Sequence, residues 1–155
     1  IRSNQSTASM VVHLDKNNPI IFATGTSGPC TSIFKPFWID AASSLNLGPV
    51  PTSQTDSSSI YWTHEKLHRA TLLNYSERIK TYAADRDEME TRFIQGALKL
   101  QHASSEERAA FTNQCLAKSA AAEAEWLKRV EKIPARRKSL LHSIAWNGFN
   151  KKANK

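Results

Sequence analysis

The sequence predicts an α+β fold in which two or three antiparallel strands are followed by about four helices. Three observations carry this expectation. Residues 1–59 are rich in Ser, Thr, Asn, Pro and β-branched residues, and their short apolar runs are bounded by turn formers. Residues 60–149 instead place apolar side chains at helical spacing with charges between them. Signatures of helix starts fall only in this second part, and residues 150–155 form a basic tail.

The first strand is expected over Ala8–Leu14, where Ala8, Met10, Val12 and Leu14 alternate onto one face. Asp15 to Pro19 reads as a turn, because Asn tolerates left-handed backbone and Pro19 cannot donate to a ladder. Ile20–Ala23 is apolar throughout, which predicts a second strand covered on both faces and hairpinned to the first. After a small, polar loop over 24–32, Ile33–Ile39 reads as a third strand. Its Pro36 confines it to an edge or a bulge. Residues 40–59, with two prolines at 49 and 51 and many serines, read as an exposed connector.

A helix over 61–84 follows from Leu67, Ala70, Leu73 and Ile79. Asp85 with Glu88 three residues on predicts the start of the next, over 86–102, which carries Met89, Phe93, Ala97 and Leu100. Ser104 with Glu107 repeats that signature before a helix over 105–132 holding Phe111, Cys115, Leu116, Trp126 and Val130, and Pro134 stops it. A last helix is expected over 135–146 from Leu140, Leu141, Ile144 and Trp146, with Gly148 at its end. Two or three strands cannot cover a sheet on both faces, and a lone hairpin is marginal in water. The strands therefore read as the end of a larger sheet, completed upstream or on another chain. A chain of 155 residues that opens on Ile1, with no basic-then-apolar leader, fits that expectation of a divided protein.

Composition narrows the function classes. At 40% hydrophobic, with four Trp and six Phe, the chain has enough apolar material for a core, which excludes global disorder. No stretch approaches the roughly 18 apolar residues of a membrane span. Cys30 and Cys115 lie far apart with no cysteine framework around them, so free thiols in the cytoplasm or another reducing intracellular compartment are expected. Lys and Arg exceed Asp and Glu by 21 to 14, a net +7. The excess is concentrated in Lys128, Arg129, Lys132, Arg136, Arg137, Lys138, Lys151, Lys152 and Lys155. Along the helices these alternate with Glu123, Glu125 and Glu131, the pattern of a solvated face. No nucleic-acid signature accompanies them, which makes an acidic protein or lipid the partner this face better suits.

Two segments could carry chemistry. His64-Glu65-Lys66-Leu67-His68 places two imidazoles at i and i+4 on one helix face, where His64 and His68 could hold Zn²⁺ with Glu65 as general base. A third ligand is not evident: Glu88 and Glu90 lie at a suitable distance but open a separate helix. The ordinary alternative is a helix start whose histidines are partly exposed, His68 pairing with a carboxylate or a carbonyl. The second segment is the 24–32 loop, whose small residues and hydroxyls suit an anion or carboxylate at a strand end, or are simply an irregular loop. Cys30 within it has no base nearby in sequence.

Ala8-Ser9-Met10-Val11-Val12, the run from Phe22-Ala23-Thr24-Gly25-Thr26 through Ser32-Ile33-Phe34-Lys35-Pro36-Phe37, and Tyr61-Trp62-Thr63-His64-Glu65-Lys66-Leu67-His68-Arg69 together resemble the later half of secernins. Secernins are similar to the cysteine dipeptidases of the N-terminal-nucleophile hydrolase superfamily. The match spans roughly residues 6–75, and the later helices agree only in kind. The resemblance implies the C-terminal portion of a four-layer αββα sandwich, which would supply the missing strands. It also implies that His64 to His68 is a structural element rather than a metal site, and that no cofactor is used. In such hydrolases a Cys at the mature N-terminus attacks the amide with its own α-amino group as base. Neither cysteine here holds that position, so the resemblance implies no catalytic residue in this chain. Thr24, Thr26, Ser27, Cys30 and Ser32 are then expected at the rim of the substrate cleft. The remaining alternatives are a non-catalytic structural or adaptor subunit with the same fold, and a zinc hydrolase using His64 and His68. In the first two readings the partner is the N-terminal half of the same protein or a companion chain.

Overall fold

A computed structural model describes residues 6–136 and Gly148. The chain forms a three-stranded antiparallel sheet followed by helices, as the composition shift at residue 60 predicts. Strands β1 (Met10–His13), β2 (Ile20–Ala23) and β3 (Lys35–Phe37) lie in the order β1-β2-β3. Met10 faces Ala23 across the first pair, and Ile21 faces Phe37 across the second. Asp15 shapes the hairpin turn by accepting from the Asn17 and Asn18 amides, which holds its carboxyl below the usual carboxylate range. Pro36 sits in β3 at the sheet edge, where a missing N–H is tolerated.

The strands are shorter and less covered than the sequence predicts. All of β1 is exposed, Met10 at 65% and Val11 at 58%, and among the described residues β2 is its one strand neighbour. In β2 only Ile20 and Phe22 are buried, while Ile21 and Ala23 are half-buried, so cover comes from one face rather than two. The predicted third strand is divided by its neighbours. Ile33 enters the helical core and Trp38 the core beneath the sheet, leaving three residues to pair. The connector is exposed over most of its length, but a tight helical turn at Ile39–Ser44 tucks Ala41 under the sheet.

Helices α1 (Ile60–Leu72), α2 (Tyr75–Arg78), α3 (Ala83–Lys99) and α4 (Ser105–Glu131) complete the described chain. The single helix expected over 61–84 is broken after Leu72. Arg78 donates to the Ala70 carbonyl (2.5 Å) at the end of α1 and to the Ile133 carbonyl beyond α4 (Nε, 3.0 Å). That one guanidinium caps two helix ends, and the Arg136 amide donates to the Leu73 carbonyl between them. The start of α3 also differs from expectation. Tyr82, stacked on Trp126 at 5.1 Å, stands at its N-cap, whereas Asp85 lies in the first turn and pairs with Arg129 at 2.7 Å. Ser104 and Glu107 form the reciprocal capping box their spacing predicts, and α4 runs to Glu131. The helix expected over 135–146 lies outside the described residues. Gly148, its expected end, is itself helical.

Two apolar clusters hold these elements. Under the sheet, Ile20, Phe22, Trp38 and Ala41 meet Ala97 of α3 and Ala109 of α4. Among the helices, Leu67, Tyr82, Phe93, Cys115, Trp126 and Val130 enclose Ile33. Phe111 touches both clusters. It fits because Gly96 has no side chain: a Cβ there would stand 2.4 Å from the Phe111 ring. Among the described residues no helix is long and apolar enough to cross a membrane.

Candidate functional site

The two segments singled out by sequence are packed against each other. Gly25 and Gly28 take left-handed backbone, φ 62° and 53°, and turn the 24–32 loop back onto α1. Gly28 is required twice over, because the His68 ring lies where its Cβ would be, 2.4 Å from Cε1. The loop's backbone is tied down from the other side by Thr24 N–H to the Ser9 carbonyl and Gly28 N–H to the Ser6 carbonyl, both 3.1 Å.

Thr31 is the centre of the contact. Its hydroxyl donates to the Gly28 carbonyl (2.8 Å), which leaves two lone pairs. His64 Nε2 stands 3.3 Å from that oxygen and His68 Nδ1 3.1 Å. The two rings lie 6.3 Å apart and nearly parallel, as i and i+4 positions on a helix require. On its far side His64 Nδ1 meets Glu123 Oε1 of α4 at 2.8 Å. Glu65, between the histidines, accepts from Ser27 Oγ and from Arg69 Nε, the latter at 2.6 Å. One helix face thus joins the loop to α4 through an unbroken chain of polar groups.

These groups are buried rather than open to solvent. His64 is 0% exposed and His68 6%, contrary to the partly exposed histidines expected of a helix start. The reason is tertiary: Glu123 and Thr31 arrive from 59 and 33 residues away. Burial holds the His68 imidazole below its ordinary value; the adjacent Glu65 opposes this, and His64 and Arg69 add to it. Next to the cluster, Lys35 is buried and donates to the Ile33 carbonyl at 2.7 Å. Desolvation pushes its amine down, against the pull of Glu123 and Glu90.

Of the expected cleft residues, Thr24, Thr26, Ser27 and Ser32 are buried and engaged within the chain. Thr24 Oγ1 accepts from the Ser9 amide, Thr26 donates to Ser32 Oγ at 2.7 Å, and Ser27 donates to Glu65. Cys30 alone among them is exposed; its carbonyl accepts from Arg86. Cys115 is buried between helices, and desolvation pushes its thiol up to about 12, far from a nucleophile's range.

The zinc arrangement would need His64, His68 and a third donor to converge on open space, with Glu65 free to act on water. Here both imidazoles address one hydroxyl, and Glu65 is engaged by Ser27 and Arg69. Glu88 pairs with Arg92 on the surface, and Glu90 accepts from the Phe34 amide. Among the described residues no three His, Cys, Asp or Glu side chains are grouped to hold a metal ion.

Glu123 and Lys35 are the site residues that sequence reasoning missed. Charge alternation puts Glu123 on the solvated basic face, but it is 4% exposed and lies in line with Cys115 and Ser119 along α4. That i, i+4, i+8 spacing is the signal that could have placed it inside. Lys128, Arg129 and Glu125 do form the solvated face, paired along the helix. Arg137, Lys138, Lys151, Lys152 and Lys155 lie outside the described residues. No family model, curated protein or solved structure matches the chain.

Proposed function

We propose that this chain is the C-terminal segment or subunit of a secernin-like, dipeptidase-like amide hydrolase. In this reading it builds the second half of an αββα sandwich and leaves the nucleophile to the other half. One observation carries the proposal: the segments that resemble secernins, though more than 30 residues apart in sequence, interlock through Ser27–Glu65 and through Thr31 with His64 and His68. A motif pair that forms one structural joint is the behaviour expected of a family element. The sheet supports it further, since Met10, Val12 and Ile21 share one face and are only partly covered. A second sheet packed there at about 10 Å, as sandwiches have, would bury it. Cys30 is the cleft candidate that remains accessible, and in this reading the rim would lie at the Gly28–Cys30 turn.

A structural or adaptor subunit is the competing reading, favoured by the internal engagement of Thr24, Thr26, Ser27 and Ser32. The basic face around Lys128 and Lys132 would then dock an acidic protein. The two free thiols fit a reducing intracellular compartment in either case. Native mass and the identity of co-purifying chains decide between them. A partner segment beginning with Cys, together with amidase activity abolished by thiol reagents, supports the hydrolase. A partner half without that Cys, and no such activity, supports the adaptor and refutes the hydrolase.

A further inference from the structure

We propose that His68 is an acid-sensitive latch, holding the 24–32 loop on α1 while its imidazole is neutral and releasing the loop when it takes up a second proton. The inference does not depend on the hydrolase reading. Its basis is the geometry around Thr31. That hydroxyl spends its hydrogen on the Gly28 carbonyl, so it can bind His68 only by accepting the Nδ1 hydrogen. Neutral His68 in that tautomer satisfies the bond. A second proton on Nε2 adds a full charge to a ring that is 6% exposed and pressed against Gly28 so closely that a methyl group has no room. With the loop closed the ring has little contact with water, so the cost of burying that charge favours movement of the loop.

The surrounding charges do not compensate. On α1 itself, Glu65 favours the cation but is engaged by Ser27 and Arg69, while His64 and Arg69 oppose it. From α4, Glu123 addresses His64. From β3, Lys35 is held near Glu123 and Glu90, and from α3, Arg86 reaches the Cys30 carbonyl. The loop from 24 to 32 contains no carboxylate, and its one titratable side chain, Cys30, is turned to solvent. Burial therefore prevails, in line with an imidazole held below its ordinary 6.5.

The sign follows from linkage. A histidine that resists protonation when the loop is closed and titrates near 6.5 when it is open favours the open state as pH falls. Between pH 7.5 and 5.5 the open population rises, by about tenfold at the limit where the closed imidazole takes up no proton and by less where it takes up some. Opening frees the Ser27 and Thr31 hydroxyls and shifts the Cys30 turn without unfolding α4. Hydrogen exchange of the whole protein, read as protection factors for residues 24–32 at the two pH values, tests this. The expected result is a loss of loop protection at the lower pH of at most about tenfold, unchanged protection in α4 around Cys115, and no loss in His68→Gln. Constant loop protection, an equal loss in α4, or the same loss in His68→Gln overturns the latch. Should His68→Gln not fold, the imidazole titration of His68 by NMR in the unaltered protein replaces it: a midpoint below 6.5 upholds the latch, and one at or above 6.5 overturns it.

Discussion

Two neighbouring glycines make the joint between loop and helix measurable. Gly25 and Gly28 share nearly the same left-handed backbone, at φ 62° and 53°, but differ in surroundings. A Cβ at Gly25 would meet nothing within 4 Å, whereas one at Gly28 would stand 2.4, 2.5 and 3.0 Å from three atoms of the His68 ring. Gly25→Ala therefore isolates the backbone contribution. A left-handed Cβ costs about 1–2 kcal/mol, and the stiffer unfolded chain offsets about 0.4–1 kcal/mol of that. The expected loss is about 1 kcal/mol.

Gly28→Ala adds a steric conflict to the same backbone cost. The His68 ring is fixed by Thr31 and cannot withdraw without giving up that hydrogen bond, worth about 1 kcal/mol. Overpacking adds about 1–3 kcal/mol, so the total loss is about 3–5 kcal/mol. Urea unfolding of the whole protein, followed by tryptophan fluorescence and compared at equal m-values, measures both variants. Adding Gly28→Ala to His68→Ala, which removes the ring, should cost no more than Gly25→Ala does. Equal losses for Gly25→Ala and Gly28→Ala in the native background would refute the close packing of His68 on the loop.

Removing Glu123 by Glu123→Ala leaves the buried His64 Nδ1 without its partner and is expected to cost about 1–3 kcal/mol; a double-mutant cycle with His64 measures the coupling, and additive losses would show that the pair is not formed. Ser104→Ala should lower stability by about 1 kcal/mol through loss of the α4 capping box, seen as a shifted urea midpoint without a change in slope. Thiol titration of the native protein should count Cys30 promptly and Cys115 only on unfolding. Because burial raises the Cys115 thiol and the Tyr82 phenol each to about 12, the folded state retains protons that the unfolded state releases above the ordinary values of 9.0 and 10.0. Stability should then fall as pH rises from 9 towards 12, and a flat alkaline profile would contradict their burial.

What was legible in the sequence was local. The capping box of α4 needs only residues 104 to 107, and the edge position of β3 needs only Pro36. The break after Leu72 was not legible, because the apolar spacing runs on through Leu73 and Ile79. The interruption comes from Arg78 and from chain beyond α4. Asp85 and Glu88 have the spacing of a cap, but Tyr82 on Trp126 sets where the helix starts, and both acids are taken by arginines. The alternation of β1 assigns its apolar side chains to one face, but burying that face needs a covering layer that the described residues do not supply. Glu123 was misplaced for a related reason: its partner His64 is on another helix, and charge alternation alone cannot tell which acid turns inward.

The His-Glu-x-x-His pattern shows why a motif needs its surroundings. Its spacing dictates that both imidazoles and the α1–loop contact share one helix face, and the same spacing serves a metal or a protein joint equally well. What decides is where the nitrogens end. A metal site leaves both directed at a common empty point; here they end on Thr31 and Glu123. A buried network of this kind adds less stability than an apolar core of the same volume would, because each charged group gives up its water. The apolar clusters around Trp126 and beneath Phe22 supply cohesion without it. The polar joint adds direction: Ser27 and Thr31 meet Glu65, His64 and His68 at one register of loop against helix, and a slip of one residue would leave every partner unmatched. Replacing His64 and Glu123 together by leucines should therefore cost far less stability than Glu123→Ala alone, yet still loosen the loop, since Thr31 loses one of its two imidazoles. Hydrogen exchange at residues 24–32 separates these effects. If the double leucine variant keeps full loop protection, the network does not set the register and the argument fails.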